Sequence, residues 1–367
     1  MNQSLKNENL LINLSFLFDK PTGLSVYANN LFPYLKKLDP TLLIAEEISN
    51  FNCYKIPNNL TPAQGSKGHF NRLLWTQFQV PKIYKKLKST LFFSPIPEAP
   101  LCNNCNYIVT VHDLIPLHFP KRFSPLTPYF KYYIPQVLKQ AKHIICDSQS
   151  TANDIINYYQ IPANKITVVL LAFDHNNFKI LNLENSNNIN KPYFLYLGRP
   201  DPHKNLERII KAFSQLSKPQ DFELWFVGSR DDRYTPNLQK LAQELNIDQQ
   251  IKFIDYVSYK QLPIIINQAL ALVFPSLWEG FGLPVLEAMA CGTPVITSNL
   301  SSLPEVAGNA TILIDPYNIK AISSAMESLI KDETLRDQLI KLGLERARNF
   351  TWEKTGQQTM EILQKYR

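Results

Sequence analysis

Glu279 and Glu287 form a pair able to hold hydroxyl groups on either side of an anion. They lie in the string Phe274-Pro-Ser-Leu-Trp-Glu-Gly-Phe-Gly-Leu-Pro-Val-Leu-Glu-Ala-Met-Ala-Cys-Gly292. The apolar run Ala269 to Phe274 predicts a buried strand. The turn after it holds Gly280 and Gly282, and Pro284 stands where helices start, so the segment to Ala290 predicts a helix. A glycine turn feeding a helix N-terminus presents backbone N–H groups, here from Phe281, Gly282 and Leu283, together with the positive end of the helix dipole. Glu279 sits at the mouth of that turn, and Glu287 about one helical turn in, within reach of a ribose or sugar hydroxyl. Such a site would hold a diphosphate between two polyols, the chemistry of a nucleotide sugar.

A second cluster fits the same ligand. Tyr193 to Gly198 predicts a strand, Arg199 to Asn205 a loop, and Leu206 to Leu216 a helix through the spacing of Leu206, Ile209, Ile210, Phe213 and Leu216. Arg199 and Lys204 then fall at the carboxyl end of a strand, where open α/β sheets bind ligands. A guanidinium fork and an ammonium point charge suit a diphosphate leaving group.

These motifs resemble the E-x7-E signature of retaining GT-B glycosyltransferases, the group 1 (family 4) class that includes bacterial mannosyl- and glucosyltransferases. The resemblance implies that Arg199 and Lys204 hold the donor diphosphate and that the sugar keeps its anomeric configuration. It also implies two Rossmann-like domains facing a cleft, with a last helix crossing back to the first. Expected boundaries are 1–180 for an acceptor-binding domain, 191–350 for a nucleotide-sugar domain and 351–367 for the returning helix. The Asn-rich stretch Asn182–Asn190 is the expected linker.

The elements agree with two parallel sheets. In the first half, strands are expected at Leu10–Phe18, Leu42–Ala45, Leu91–Ser94, Tyr107–Val111, His143–Asp147 and Ile166–Val169. Helices are expected at Ser25–Leu38, Pro128–Gln140 and Ser150–Tyr158. In the second half, strands are expected at Tyr193–Gly198, Glu223–Val227, Ile251–Ile254, Leu270–Phe274, Pro294–Thr297 and Thr311–Ile314, with a last helix at Thr351–Tyr366.

Three first-half features bear on the site. Gly23 stands just before a helix, where bare backbone can approach phosphates. Val26 stands where the family often has Arg. His112-Asp-Leu-Ile-Pro-Leu117 resembles family-4 mannosyltransferases of polysaccharide assembly, and in them this His contacts the transferred sugar at the reacting centre. Asp113 would orient His112 or cap the next turn. Ser148 or Ser150 is the simplest N-cap of the following helix. Toward the end of the chain, Ser301 to Gly308 resembles the family's segment after the E-x7-E helix, with Glu305 and Gly308 structural. Base contacts are expected in a less distinctive loop, Tyr256–Leu262.

Bulk properties set the remaining bounds. A chain of 367 residues exceeds one ordinary core. Residues 1–180 hold 18 Lys and Arg against 10 Asp and Glu, so the whole formal charge of +7 belongs to the first half. Lys82, Lys85, Lys86 and Lys88, interleaved with aromatic and aliphatic residues, suit either a solvated helix face or an anionic membrane surface. No nucleic-acid motif is present. Five cysteines lack a framework spacing, the lone Cys102-x-x-Cys105 pair reads as a loop, and the set fits a reducing cytoplasm. No stretch reads as a transmembrane helix or signal peptide. No metal is required, because Arg and Lys replace it, and Asp231-Asp232 reads as a loop. The expected partners are a nucleoside-diphosphate sugar and a glycan or lipid-linked glycan, at a cytoplasmic location peripheral to the inner membrane face. A GT-B epimerase, a phosphorylase and a non-catalytic nucleotide-sugar-binding protein stay open. The third glycine of a dinucleotide fingerprint is missing after Gly282.

Overall fold

A computed structural model describes residues 9–18, 23–102, 104–122, 124–182 and 191–367. The loop 19–22 and most of the expected linker, 183–190, lie outside the described residues. Two compact units pack separately: Met1–Leu171 with Trp352–Arg367, and Ala172–Thr351.

The first unit is built on a seven-stranded parallel sheet: β1 (Asn9–Asn13), β2 (Thr41–Ile44), β3 (Asn52–Lys55), β4 (Ser89–Ser94), β5 (Tyr107–Val111), β6 (His143–Cys146) and β7 (Ile166–Val168). Its order is β3-β2-β1-β4-β5-β6-β7. The second unit repeats the plan with β8 (Tyr193–Leu197), β9 (Glu223–Val227), β10 (Ile251–Ile254), β11 (Ala271–Phe274), β12 (Val295–Ser298) and β13 (Ile312–Ile314), in the order β10-β9-β8-β11-β12-β13. All five residues of β5 and of β8 are buried, as strands covered on both faces require. Each sheet reverses its winding once, between β1 and β4 and between β8 and β11. Those reversals open crevices at the carboxyl ends of the strands.

Local chemistry corrects several expected boundaries. β1 stops at Asn13, short of Phe18, because the Asn13 side chain accepts from the amide and hydroxyl of Ser15 at 3.2 and 2.7 Å and turns the chain. The helix expected at Ser25–Leu38 is an α-helix over Gly23–Leu31 followed by a 3-10 stretch, Phe32–Leu38, where Pro33 removes a donor. The helix expected at Pro128–Gln140 is interrupted by a π turn, Tyr129–Tyr133, ahead of Ile134–Gln140. β3 is half exposed and carries Asn-Cys-Tyr-Lys, which gives no apolar run to read.

The returning helix is Trp352–Tyr366, and it packs on the first unit. Thr355 Oγ1 donates to the Leu170 carbonyl at 2.7 Å, and Tyr366 stacks on His143 with ring centroids 4.9 Å apart. Gly356 lies mid-helix against Tyr34, where an added Cβ would come within 2.4 Å of the Tyr34 Cβ. In an open helix Gly→Ala gains about 1 kcal/mol from propensity. Overpacking costs about 1–3 kcal/mol and should win here. Gly356→Ala is therefore expected to lower stability in urea unfolding by about 1 kcal/mol or more; a gain in stability would mean that the helix does not dock as described.

Candidate active site

The second unit brings Lys204 and Glu279 together. β8 delivers the first loop and β11 the second, on the two sides of the winding reversal. Lys204 Nζ lies 2.6 and 2.8 Å from the two carboxylate oxygens of Glu279. The Nζ also stands 5.6 Å from the centroid of the Phe274 ring. The loops are stitched to one another. Asn205, in a left-handed conformation with φ 67°, donates from Nδ2 to the carbonyls of Pro275 and Pro316 at 3.0 and 2.7 Å. The Leu277 amide donates to the His203 carbonyl at 2.7 Å. Ser302 Oγ donates to the carbonyls of Glu279 and Phe281, and Ser301 Oγ accepts from the Glu279 amide.

The glycine turn forms as expected. Gly282 precedes the helix Leu283–Ala290 with φ 110°, a conformation costly for any side chain. An added Cβ there would also come within 2.7 Å of Leu303. The amides of Phe281, Gly282 and Leu283 thus stand at a helix N-terminus whose first-turn donors have no intrahelical acceptors.

Arg199 and Glu287 are not bonded to the Lys204–Glu279 pair among the described residues. Arg199 is 71% exposed and pairs with the buried Asp201 at 3.1 Å. Glu287 is half-buried and, among the described residues, has no ion pair; burial pushes its carboxyl up to about 7. Burial first, and then the charges of Asp174 and Glu287, raise the phenol of Tyr259, which belongs to the stretch expected to meet the base.

In the first unit, His112 follows β5. Its Nδ1 lies 2.6 Å from Asp147 Oδ2 and its Nε2 2.8 Å from the Pro95 carbonyl. A carbonyl can only accept, so Nε2 donates to Pro95, and the close Asp147 carboxyl favours a second proton, and with it a positive charge, on Nδ1. Burial opposes that charge, but the Asp147 carboxylate outweighs it and holds the His112 pKa above its ordinary value. Asp113 is not the orienting carboxylate: its Oδ1 caps the next turn by accepting from the Ile115 amide at 2.9 Å. The residue missed in the sequence is Asp147, legible only as a carboxylate ending the strand next to β5. Asn13 Nδ2 donates to Ser94 Oγ at 3.1 Å across the reversal between β1 and β4. Gly23 opens its helix, and a Cβ there would meet nothing within 4 Å. Ser148, not Ser150, caps the helix Gln149–Tyr159 by accepting from the Thr151 amide.

Asp231 is engaged by the Arg233 guanidinium and amide. Among the described residues, no group of three His, Cys, Asp or Glu side chains could hold a metal ion, and no helix is long and apolar enough to cross a membrane.

Residues 179–346 match the family of glycosyl transferases group 1, and residues 21–177 match glycosyltransferase family 4. An O-antigen chain mannosyltransferase B of Escherichia coli is 31% identical over 268 residues, 69% of this chain and 68% of that protein. The chain belongs to the group 1, family 4 glycosyltransferases. The O-antigen chain mannosyltransferase RfbU of Salmonella typhimurium is 33% identical over 224 residues, which span 61% of each protein. Among solved structures, a sucrose-phosphate synthase from Thermosynechococcus elongatus superposes with a TM-score of 0.78 at 20% identity, covering 98% of both chains. Anabaena HepE, solved with UDP and glucose, gives 0.76 at 16% identity, covering 98% of this chain and 100% of that one. These two structures share this chain's fold, the GT-B fold of two parallel-sheet domains.

Two titrations follow from the geometry. The raised His112 contributes stability that is complete below its unfolded pKa and is lost as pH rises through the folded value. Asp147→Asn should therefore destabilise the protein more at pH 6 than at pH 9 in chemical unfolding; an equal loss at both would exclude the imidazolium. Glu287 has the opposite sign, because its raised carboxyl costs stability as pH rises from about 4.5 to about 7. Glu287→Gln should leave stability unchanged near pH 4 and raise it by about 1–2 kcal/mol at pH 8, after discounting for the solvent-facing edge. A melting temperature unchanged at pH 8 would contradict the enclosed carboxyl.

Proposed function

We propose that this chain transfers a hexose, with mannose favoured, from a nucleoside-diphosphate sugar to a glycan or lipid-linked glycan acceptor, with retention of anomeric configuration. The observation that carries this reading is the Lys204–Glu279 pair at the winding reversal of the second sheet, beside the helix N-terminus at Leu283. Lys204, with Arg199 and the amides of Phe281 to Leu283, would stabilise the departing diphosphate. Glu279 would hold the donor sugar and Glu287 the ribose, with Gly23 lending its backbone to the phosphates and His112 contacting the transferred sugar. In the reaction the anomeric carbon–phosphate oxygen bond breaks and a bond to the acceptor oxygen forms, with the acceptor proton passing to the leaving phosphate. His112 supports this route: both of its ring nitrogens are engaged, by Asp147 and by the Pro95 carbonyl, rather than held free to act as a base.

Mannose is favoured by the His112–Leu117 string and by the relatives named as mannosyltransferases. A lipid-linked acceptor is favoured by the basic first half, and it sets the protein at the inner membrane face as a peripheral cytoplasmic enzyme. No metal is required in this reading, since the cations of Arg199 and Lys204 meet the phosphates.

Thermal shift with GDP, UDP, ADP and their sugars, without added metal, should single out one nucleotide and give a larger shift for one of its sugars. A folded protein that shifts with none would overturn the donor site. Lys204→Ala and Glu279→Gln should each lower turnover about 10²-fold or more, on the scale of losing one transition-state donor. Full turnover in either variant would remove that residue from the chemistry.

A further inference from the structure

The helix Gly65–Phe78 has an unusual outer face. Its inner side buries Gly68, Arg72, Trp75 and Thr76. Its outer side exposes Phe70 at 59%, Leu74 at 43% and Phe78 at 63%. At about 100° per residue, these three and the exposed Lys67 fall within an arc of about 80°. Large apolar side chains repeated at every fourth position on a solvent face form a stripe, not scattered exposure.

The stripe does not stand alone. Gln77 of the same helix accepts from the Leu101 amide at 2.9 Å and donates to Tyr133 Oη at 2.9 Å. The ring of His69 meets Tyr129 edge-on at 5.1 Å. Leu101, Leu126 and Tyr132, themselves 38%, 43% and 64% exposed, therefore belong to segments packed alongside the helix.

Charge decides what such a face would meet. Between Glu47 and Glu98 the sequence contains no Asp or Glu, while Lys67, Lys82, Lys85 and Lys88 are exposed there. Glu98 itself contributes no surface charge. It is 2% exposed and is held by Arg72 through two hydrogen bonds, at 2.7 and 2.8 Å. An exposed apolar stripe flanked by Lys67, in a segment whose sequence carries exposed lysines and no exposed carboxylate, complements an apolar layer beneath negative headgroups.

We propose that the Phe70–Leu74–Phe78 face of this helix docks on an anionic lipid bilayer. The rings enter the headgroup–acyl boundary while Lys67 beside them engages the headgroups. The inference deepens the reading of a lipid-linked acceptor and rests on it for its purpose, though not for its physical basis.

The full-length protein should co-sediment with vesicles containing phosphatidylglycerol at low salt, bind pure phosphatidylcholine vesicles far less, and release as salt rises. Phe70→Ser with Phe78→Ser should weaken phosphatidylglycerol binding about tenfold or more, whereas Tyr317→Ser, an exposed aromatic of the second unit, should leave it unchanged. Melting curves and nucleotide-induced shifts without vesicles should match the wild type for all variants. Absence of vesicle binding, equal binding to both lipids, or binding indifferent to the paired substitution would overturn the proposal. So would a concentration-dependent dimer that the same substitutions abolish, which would assign the face to a second copy. Nucleotide shifts report on the sugar-transfer reading separately, so the two ideas fail by different measurements.

Discussion

The Lys204–Glu279 ion pair depends on features of the second unit that lie far apart in sequence. Two opposite charges, each mostly withdrawn from water, are stable together and costly apart, since removing one strands the other. Holding them at contact requires that loops leaving β8 and β11 be neighbours, which happens only because the sheet reverses its winding between those strands. It also requires that both loops be rigid. Asn205 ties one loop to the carbonyls of Pro275 and Pro316, and Ser301 and Ser302 tie the other to the start of the helix Leu303–Ala307.

The first unit obeys the same constraint with different chemistry. Its reversal lies between β1 and β4, where Asn13 and Ser94 bond across the gap. One strand further on, His112 is fixed from both sides by Asp147 and the carbonyl of Pro95. A ring held at both nitrogens is fixed in orientation, and the Asp147 carboxylate favours its charged form. Both units therefore place a charge-bearing side chain at the carboxyl end of the sheet and spend hydrogen bonds from neighbouring loops to aim it.

The same partition of buried and exposed charge separates the site from the surface. Arg72 and Glu98 are drawn inside as a closed pair, whereas Lys67, Lys82, Lys85 and Lys88 stay in water.

Much of this was legible in the chain. Continuous apolar runs marked β5, β8 and β11 because strands covered on both faces need no polar alternation. The Gly282–Pro284 pattern marked a helix start because few residues tolerate φ 110° and proline suits a first turn. Family membership followed from the Glu279–Glu287 string and from Arg199 and Lys204. Other features had no local signal. β3 is an edge strand with no apolar run, and the break after Leu31 comes from a proline inside an otherwise helical pattern. Asp147 as the partner of His112, Ser302 as the strap on Glu279, and the direct contact of Lys204 with Glu279 all join residues more than twenty positions apart. By itself the sequence determined which side chains are available and which strand or turn carries each, because backbone preference and apolar period act over a few residues. Only the tertiary structure decided which of them meet, because strand order in a parallel sheet is set by long-range packing.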